Sequence, residues 1–400
     1  MKSRRSKFCW GILIVVIAGV WFMPVYMRQA LIHWYPEITD TYIFPFHKVA
    51  RADSCWDFPL ARDFNTYEMT PEENAYLGRY GTVAYLVIRN DSVLYEEYRD
   101  GWEPDRLSNI FSATKSIVGL LVGIALEEGY IGSLDDKVSR YLPEFPEGDK
   151  ITIRNLLTMS SGLNWDEAYT SLLSKTTQAY YGDNIRELIM DLKVVEEPGK
   201  KYSYKSGDTQ LLSFVLEAAL DTVYREKEAK WGVFHSHVKI HSPITISKYA
   251  EEKLWRPIQA CHDALWNLDR EGGDEKTYCC FNTTARDLAH VARLMLNKGN
   301  WNGKQVIPEA YVEEAVSPAS YLENEFGDGP LDYYGFQIWV MHYKGMQFSA
   351  FRGLGGQYVF AIPQKNAIVI RLGHRRSDVY KRELTDDIEE YLNIAFRILQ

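Results

Sequence analysis

Ser112 and Lys115 stand three residues apart at the head of the run Ile110 to Gly129, which is almost wholly apolar after Ser116. On a helix, side chains three residues apart share a face, with Cβ atoms about 5–6 Å apart. A serine hydroxyl is a poor nucleophile until a base takes its proton, and a lysine serves as that base only when its ammonium form is destabilised. Burial in an apolar helix destabilises it. A helix N-terminus adds to this and also stabilises the oxyanion formed when the hydroxyl attacks a carbonyl. The pair therefore reads as nucleophile and base of a serine acyl transfer in the S-x-x-K spacing. The competing reading makes Ser112 a helix N-cap and Lys115 a solvated first-turn residue. Chance alone supplies about one or two such tetrapeptides in a chain this long. Ser236-His237-Val238-Lys239 is a second one, in a polar segment with no apolar helix behind it.

Several elements have to hold this pair in place. Gly81 to Ile88 and Ser92 to Tyr98 flank Asn90-Asp91 as two β-rich runs around a polar turn, which predicts a hairpin leading into the Ser112 helix. Helical periodicity dominates from there to about Asn300. Strands return at Gln357 to Ile362 and Ala367 to Leu372, around the turn Pro363 to Asn366, and a final helix is expected from about Asp378. Strands at both ends with helices between them predict an α+β fold: one antiparallel sheet assembled from the two termini, flanked by helices, with a helical lobe inserted. Trp165, Asp166 and Tyr169 follow the turn Ser161-Gly162-Leu163 and are candidates to line the cleft.

With 46% of its 400 residues hydrophobic and 14% aromatic, the chain can bury a large core. A net charge of −9 without a long basic run argues against nucleic acid as a partner. Lys2, Arg4, Arg5 and Lys7 precede the uncharged run Phe8 to Met27, which predicts a transmembrane signal anchor with the bulk of the chain outside the cytoplasm. The expected organisation is a basic stub and anchor over 1–28, a stalk and surface segment over 29–66, and a catalytic domain over 67–400. No cysteine spacing suggests zinc; Cys261 paired with Cys279 or Cys280, or buried free thiols, both fit. His235, His237 and His241 lie in a polar stretch from Lys227 to Ser242 that reads as a surface insertion rather than a metal site. No metal or cofactor is expected, and oligomeric state is left open. A Ser-His-Asp hydrolase is disfavoured because no G-x-S-x-G occurs.

Taken together, Phe111-Ser112-Ala113-Thr114-Lys115-Ser116, Leu134-Asp135-Asp136, Tyr141-Leu142-Pro143, Ser161-Gly162-Leu163, Pro198-Gly199, Tyr204-Lys205-Ser206, Thr284-Ala285-Arg286-Asp287-Leu288 and Gly353-Leu354-Gly355-Gly356-Gln357 resemble the serine β-lactamase and penicillin-binding-protein superfamily. The likeness is to the group of class C β-lactamases, D-alanyl-D-alanine carboxypeptidases, family VIII esterases and 6-aminohexanoate-dimer hydrolases. It implies the β-lactamase/transpeptidase-like fold and an acyl-enzyme on Ser112. Lys115 and Tyr204 would share the proton transfers, and Ser206, standing where the family's Y-x-N motif has asparagine, would hydrogen-bond Lys115 or substrate. The third family motif corresponds to Phe351-Arg352-Gly353, without the usual basic first residue. There the glycine would admit substrate, and the amides of Leu354 and Ser112 would form the oxyanion hole. The substrate expected is a small molecule or peptide carrying an ester, amide or β-lactam-like bond, in the periplasm of a bacterium. The rival from another class is a non-catalytic relative that binds peptidoglycan or senses β-lactams. A metallohydrolase built on His235 and His237 is a third.

Overall fold

The computed structural model describes residues 22–231 and 244–400, the side chains of 222–231 excepted. Its centre is a six-stranded antiparallel sheet with the order β3-β2-β12-β11-β10-β9, where β2 is Thr82–Arg89, β3 Ser92–Tyr98, β9 Trp339–Tyr343, β10 Met346–Gly353, β11 Gln357–Ile362 and β12 Ala367–Gly373. The sheet is thus assembled from the two ends of the chain, as the strand pattern predicts. β2 and β3 are joined through Asn90 and Asp91, both at positive φ (52° and 57°), the geometry of the turn that matches strand twist. Period-two alternation divides the faces of β12. Ile368, Ile370 and Leu372 point into the larger core, and Ala367 and Val369 into a second core beneath the C-terminal helix Asp387–Ile398.

A second sheet was not legible in the sequence. Four short strands, β1 (Phe46–Val49), β4 (Ser108–Asn109), β5 (Ala264–Asn267) and β6 (Phe281–Thr283), pair in the order β1-β5-β6-β4. They are too short to show periodicity, yet they bring residues around 280 beside the start of the Ser112 helix. The helices Ile153–Leu157, Lys175–Tyr181, Ile185–Met190 and Ser206–Trp231 make up the inserted lobe. Two small hairpins, β7 (Asn300–Trp301) with β8 (Lys304–Gln305) and β13 (Tyr380–Lys381) with β14 (Leu384–Thr385), complete the strands among the described residues. The last of these occupies the place where the final helix was expected to begin; the turn at Arg382 (φ 59°) delays that helix to Asp387.

The transmembrane helix expected over Phe8 to Met27 is not supported. Residues 8–21 lie outside the described residues, and no helix among those described is long and apolar enough to cross a membrane. From Val25 the chain forms a nine-residue helix that runs past Met27 to His33 and packs on the Lys175–Tyr181 helix, where His33 stacks on Tyr181. Membrane attachment, and with it a single-pass placement in the bacterial inner membrane with a periplasmic domain, lose their basis. Within 29–66, Ile38, Val49 and Phe58 are buried in the main core. Cys261 pairs with Cys55 rather than with Cys279 or Cys280, which are disulfide-bonded to each other. The polar stretch from Lys227 opens as the continuation of the Ser206 helix to Trp231. His235, His237 and His241, and the second S-x-x-K at Ser236, lie outside the described residues.

Candidate active site

The run after Ser112 folds as a helix, Thr114–Glu127, entered through a 3-10 turn at Phe111–Ala113 and ended before Gly129 (φ 75°). Its residues from Thr114 to Ala125 are all buried, because the helix lies between the large sheet and the helical lobe. Two glycines permit that. A Cβ on Gly123 would sit 2.3 Å from the Tyr311 ring, and one on Gly119 would sit 3.0 Å from Gln337 Cβ. Ser112 is therefore no cap, and Lys115 is no solvated side chain: it is 1% exposed. Its Nζ donates to Ser112 Oγ (2.8 Å) and to the carbonyl of Tyr278 (2.7 Å). Burial lowers the Lys115 pKa to about 8, against the opposing pull of the Glu167 carboxylate. At neutral pH a useful fraction of the amine is thus uncharged and able to take a proton.

Phe111, just before the nucleophile, holds φ at 47°, a conformation costing on the order of 1–3 kcal/mol in a residue with a bulky side chain. Surrounding contacts impose it. The amide of Phe111 donates to Asn109 Oδ1, that of Ile110 to the Phe281 carbonyl, and that of Phe281 to Thr114 Oγ1. The small second sheet thereby clamps both Ser112 and the Tyr278 carbonyl that orients Lys115. Tyr278 is 163 positions from Lys115, and nothing in the sequence marks it.

Tyr204 lies beside the pair: Lys115 Nζ is 5.2 Å from the centre of its ring. Burial, and then the Glu167 carboxylate, push the phenol well above its usual pKa, against the lowering pull of the nearby Ser112 side chain. Tyr204 accordingly keeps its proton at neutral pH and is a donor at rest.

Ser206 opens the helix Ser206–Trp231 but does not reach Lys115. Its amide and hydroxyl both donate to Glu167, at 2.8 and 2.6 Å. Glu167 also accepts from Trp165 Nε1 and from the Tyr169 hydroxyl. Trp165 lines neither cavity beside Ser112 and packs under Gly207, where a Cβ would lie 2.7 Å from its ring; Tyr169 lines both cavities. Glu167, the hub of this network, was missed, although it stands between two residues singled out as cleft candidates.

Phe351, Arg352 and Gly353, the expected third motif, are the last three residues of β10. β10 ends at Gly353, and a Cβ there would come 2.2 Å from the carbonyl of Ile110, so only glycine allows the strand to abut the turn carrying Ser112. Ladder pairing stops at Gly353 opposite Gln357, leaving Leu354 beyond it at the mouth of both cavities. The buried Gln357 amide spans the turn, donating to the carbonyls of Leu354 and Gly373. Arg371 donates to those of Gly355 and Gly356. Among the described residues no group of His, Cys, Asp and Glu could hold a metal.

This sheet, this lobe and a serine–lysine–tyrosine cluster at their junction define a class, and comparison with known proteins agrees. The chain belongs to the beta-lactamase family, whose model matches residues 73–392. It is 26% identical over 314 residues to a 6-aminohexanoate-dimer hydrolase of Paenarthrobacter ureafaciens, covering 73% of this chain and 72% of that one. A solved structure from Bacillus anthracis, provisionally named a 6-aminohexanoate-dimer hydrolase, superposes with a TM-score of 0.72 at 20% identity, covering 94% of this chain and 95% of that one. A family VIII carboxylesterase superposes with a TM-score of 0.55 at 15% identity, covering 85% and 98%. The chain is thus a member of a family of β-lactamase-fold serine hydrolases.

Proposed function

We propose that the protein hydrolyses a linear ester or amide through an acyl-enzyme on Ser112. The observation that carries this is the 2.8 Å contact from a buried, pKa-lowered Lys115 amine to Ser112 Oγ. Lys115 takes the hydroxyl proton as Oγ attacks the carbonyl. The amides of Ser112 and Leu354 receive the oxyanion. Tyr204, protonated at rest, gives its proton to the leaving atom and recovers one from Lys115. Water then attacks the acyl-enzyme, with the same groups running in reverse. The names of the relatives, a dimer hydrolase and a carboxylesterase, favour linear amides and esters. The asparagine of Y-x-N is replaced here by Ser206, which is engaged by Glu167.

The experiment is active-site labelling with a fluorescent fluorophosphonate, alongside hydrolysis of p-nitrophenyl acetate. Wild type should take the label and turn over the ester, and Ser112→Ala should do neither. Equal labelling of the two proteins would overturn the assignment. Labelling without turnover would leave a sensing or binding domain.

A further inference from the structure

Two cavities meet at Ser112, and they differ in kind. One, of about 290 Å³, has a wall of Trp34, Phe111, Leu172, Tyr180 and Tyr181, and none of its described lining residues is charged. The other, of about 310 Å³, is lined by Tyr204, Trp339, Arg352, Arg376, Glu325 and Glu383 among others. Ser112, Tyr169 and Leu354 border both, so a carbonyl held over Ser112 projects one half of its molecule into each. Tyr204 borders only the charged cavity. Since Tyr204 protonates the leaving atom in the function proposed above, the leaving group occupies the charged side and the acyl group the apolar side.

The charged side contains a guanidinium in search of a partner. Arg352 is 5% exposed and lies over Trp339 at 4.0 Å. One of its nitrogens donates to the Glu383 carbonyl, while Nε and Nη1 are buried without an acceptor among the described residues. A buried, unsatisfied guanidinium is costly, and a carboxylate matches its fork of donors. Arg376 adds positive charge and is hydrogen-bonded to Tyr380. Arg382 is already paired with Asp328. The opposing charges are Glu325, Glu383, which is loosely paired with Arg382 at 3.7 Å, and Glu167, whose oxygens already accept from Trp165, Tyr169 and Ser206.

On the apolar side, Ala30, Trp34 and Tyr35 come from the segment ahead of the region matched by the family model. A charged acyl group there would lose its water with no compensating partner.

We propose, resting on the serine-hydrolase reading, that the substrate joins an uncharged apolar acyl group to a carboxylate-bearing leaving group, as in an N-acyl amino acid. The N-terminal helix selects the acyl part and Arg352 binds the carboxylate. In the reaction, Oγ of Ser112 bonds to the acyl carbon, the C–N bond breaks, and the nitrogen takes the Tyr204 proton and departs as the amino acid. One water then cleaves the Ser112 ester to release the carboxylic acid.

The test compares kcat/KM for N-hexanoyl-glycine, its C-terminal methylamide, and 6-ammoniohexanoyl-glycine. Wild type should favour the first at least tenfold over each of the others. Arg352→Gln, or Arg376→Gln should the first variant not fold, should collapse the preference for carboxylate over methylamide while the preference for the neutral acyl group persists. Trp34→Ala should erode the latter alone. A wild type that takes fluorophosphonate on Ser112 and cleaves p-nitrophenyl acetate, yet shows no preference among the three substrates, overturns this inference and leaves the serine hydrolase standing. Absence of labelling and of ester turnover overturns both.

Discussion

At the scale of single residues, the ionisation of Lys115 governs rate. The amine must be neutral to accept the Ser112 proton, and its pKa is held at about 8. The rate of acylation by a chromogenic ester should therefore rise with pH on an ionisation near 8 and fall about tenfold per unit below it, and Lys115→Met should lose about 10²–10⁴-fold at any pH. A profile that stays flat from pH 6 to 9 contradicts the assignment. Asp208 poses a question of stability instead. It is fully buried and accepts from Ser161 Oγ at 2.6 Å, with its other oxygen unpartnered among the described residues. Burial raises its pKa to about 7, against the lowering influence of Lys205. The folded state thus binds this proton more tightly than the unfolded chain does. The stabilisation is complete below the unfolded pKa near 4 and is lost as pH climbs through 7. Asp208→Asn should raise the melting temperature at pH 8 relative to wild type, and raise it less at pH 5.

At the scale of elements, the catalytic helix depends on the glycines that let it nest. Gly123→Ala forces a methyl group into the Tyr311 ring, whose hydroxyl donates to the Gly119 carbonyl, and should cost about 1–3 kcal/mol in urea unfolding. Gly78→Ala, on the exposed helix Pro71–Arg79 with nothing within 4 Å, should do the opposite and gain about 0.5–1 kcal/mol. The same comparison shows why some elements were legible and others were not. The helix after Ser112 and the strands β2, β3, β11 and β12 carry long periodic runs with turn residues between them, so local chemistry announces them. The second sheet consists of two- to four-residue strands whose partners are set by tertiary contact alone. β9 and β10, either side of Lys344-Gly345, were passed over although that turn is a local signal (φ 48° and 74°). At the site, Ser112 and Lys115 are marked by their spacing, and Tyr204 and the Gly353 turn only by the family resemblance. Tyr278, Glu167 and the orphaned guanidinium of Arg352 are marked by neither, because each acquires its role from residues far along the chain.

At the scale of the whole molecule, the disulfide between Cys55 and Cys261 ties the N-terminal segment to the loop ahead of β5 across 206 positions. A crosslink closing so long a loop restricts the unfolded chain strongly, so Cys55→Ser should lower stability by about 2–5 kcal/mol, read from a lower urea midpoint, with a steeper slope as the freed chain exposes more surface. No change in midpoint would mean that the segment is held by packing alone.

The pairing of β2 with β12, Val87 opposite Val369, bears on how the protein is made. A ribosome adding roughly 5–20 residues each second releases the first strand tens of seconds before its neighbour exists. Throughout that interval the newborn hairpin shows an unclaimed row of amides and carbonyls, a template for aggregation between nascent chains. Stalled nascent chains ending before Ala367 should accordingly be captured by holding chaperones, and those extended through Gly373 and beyond the exit tunnel should be released, which protease resistance of ribosome-bound chains would register.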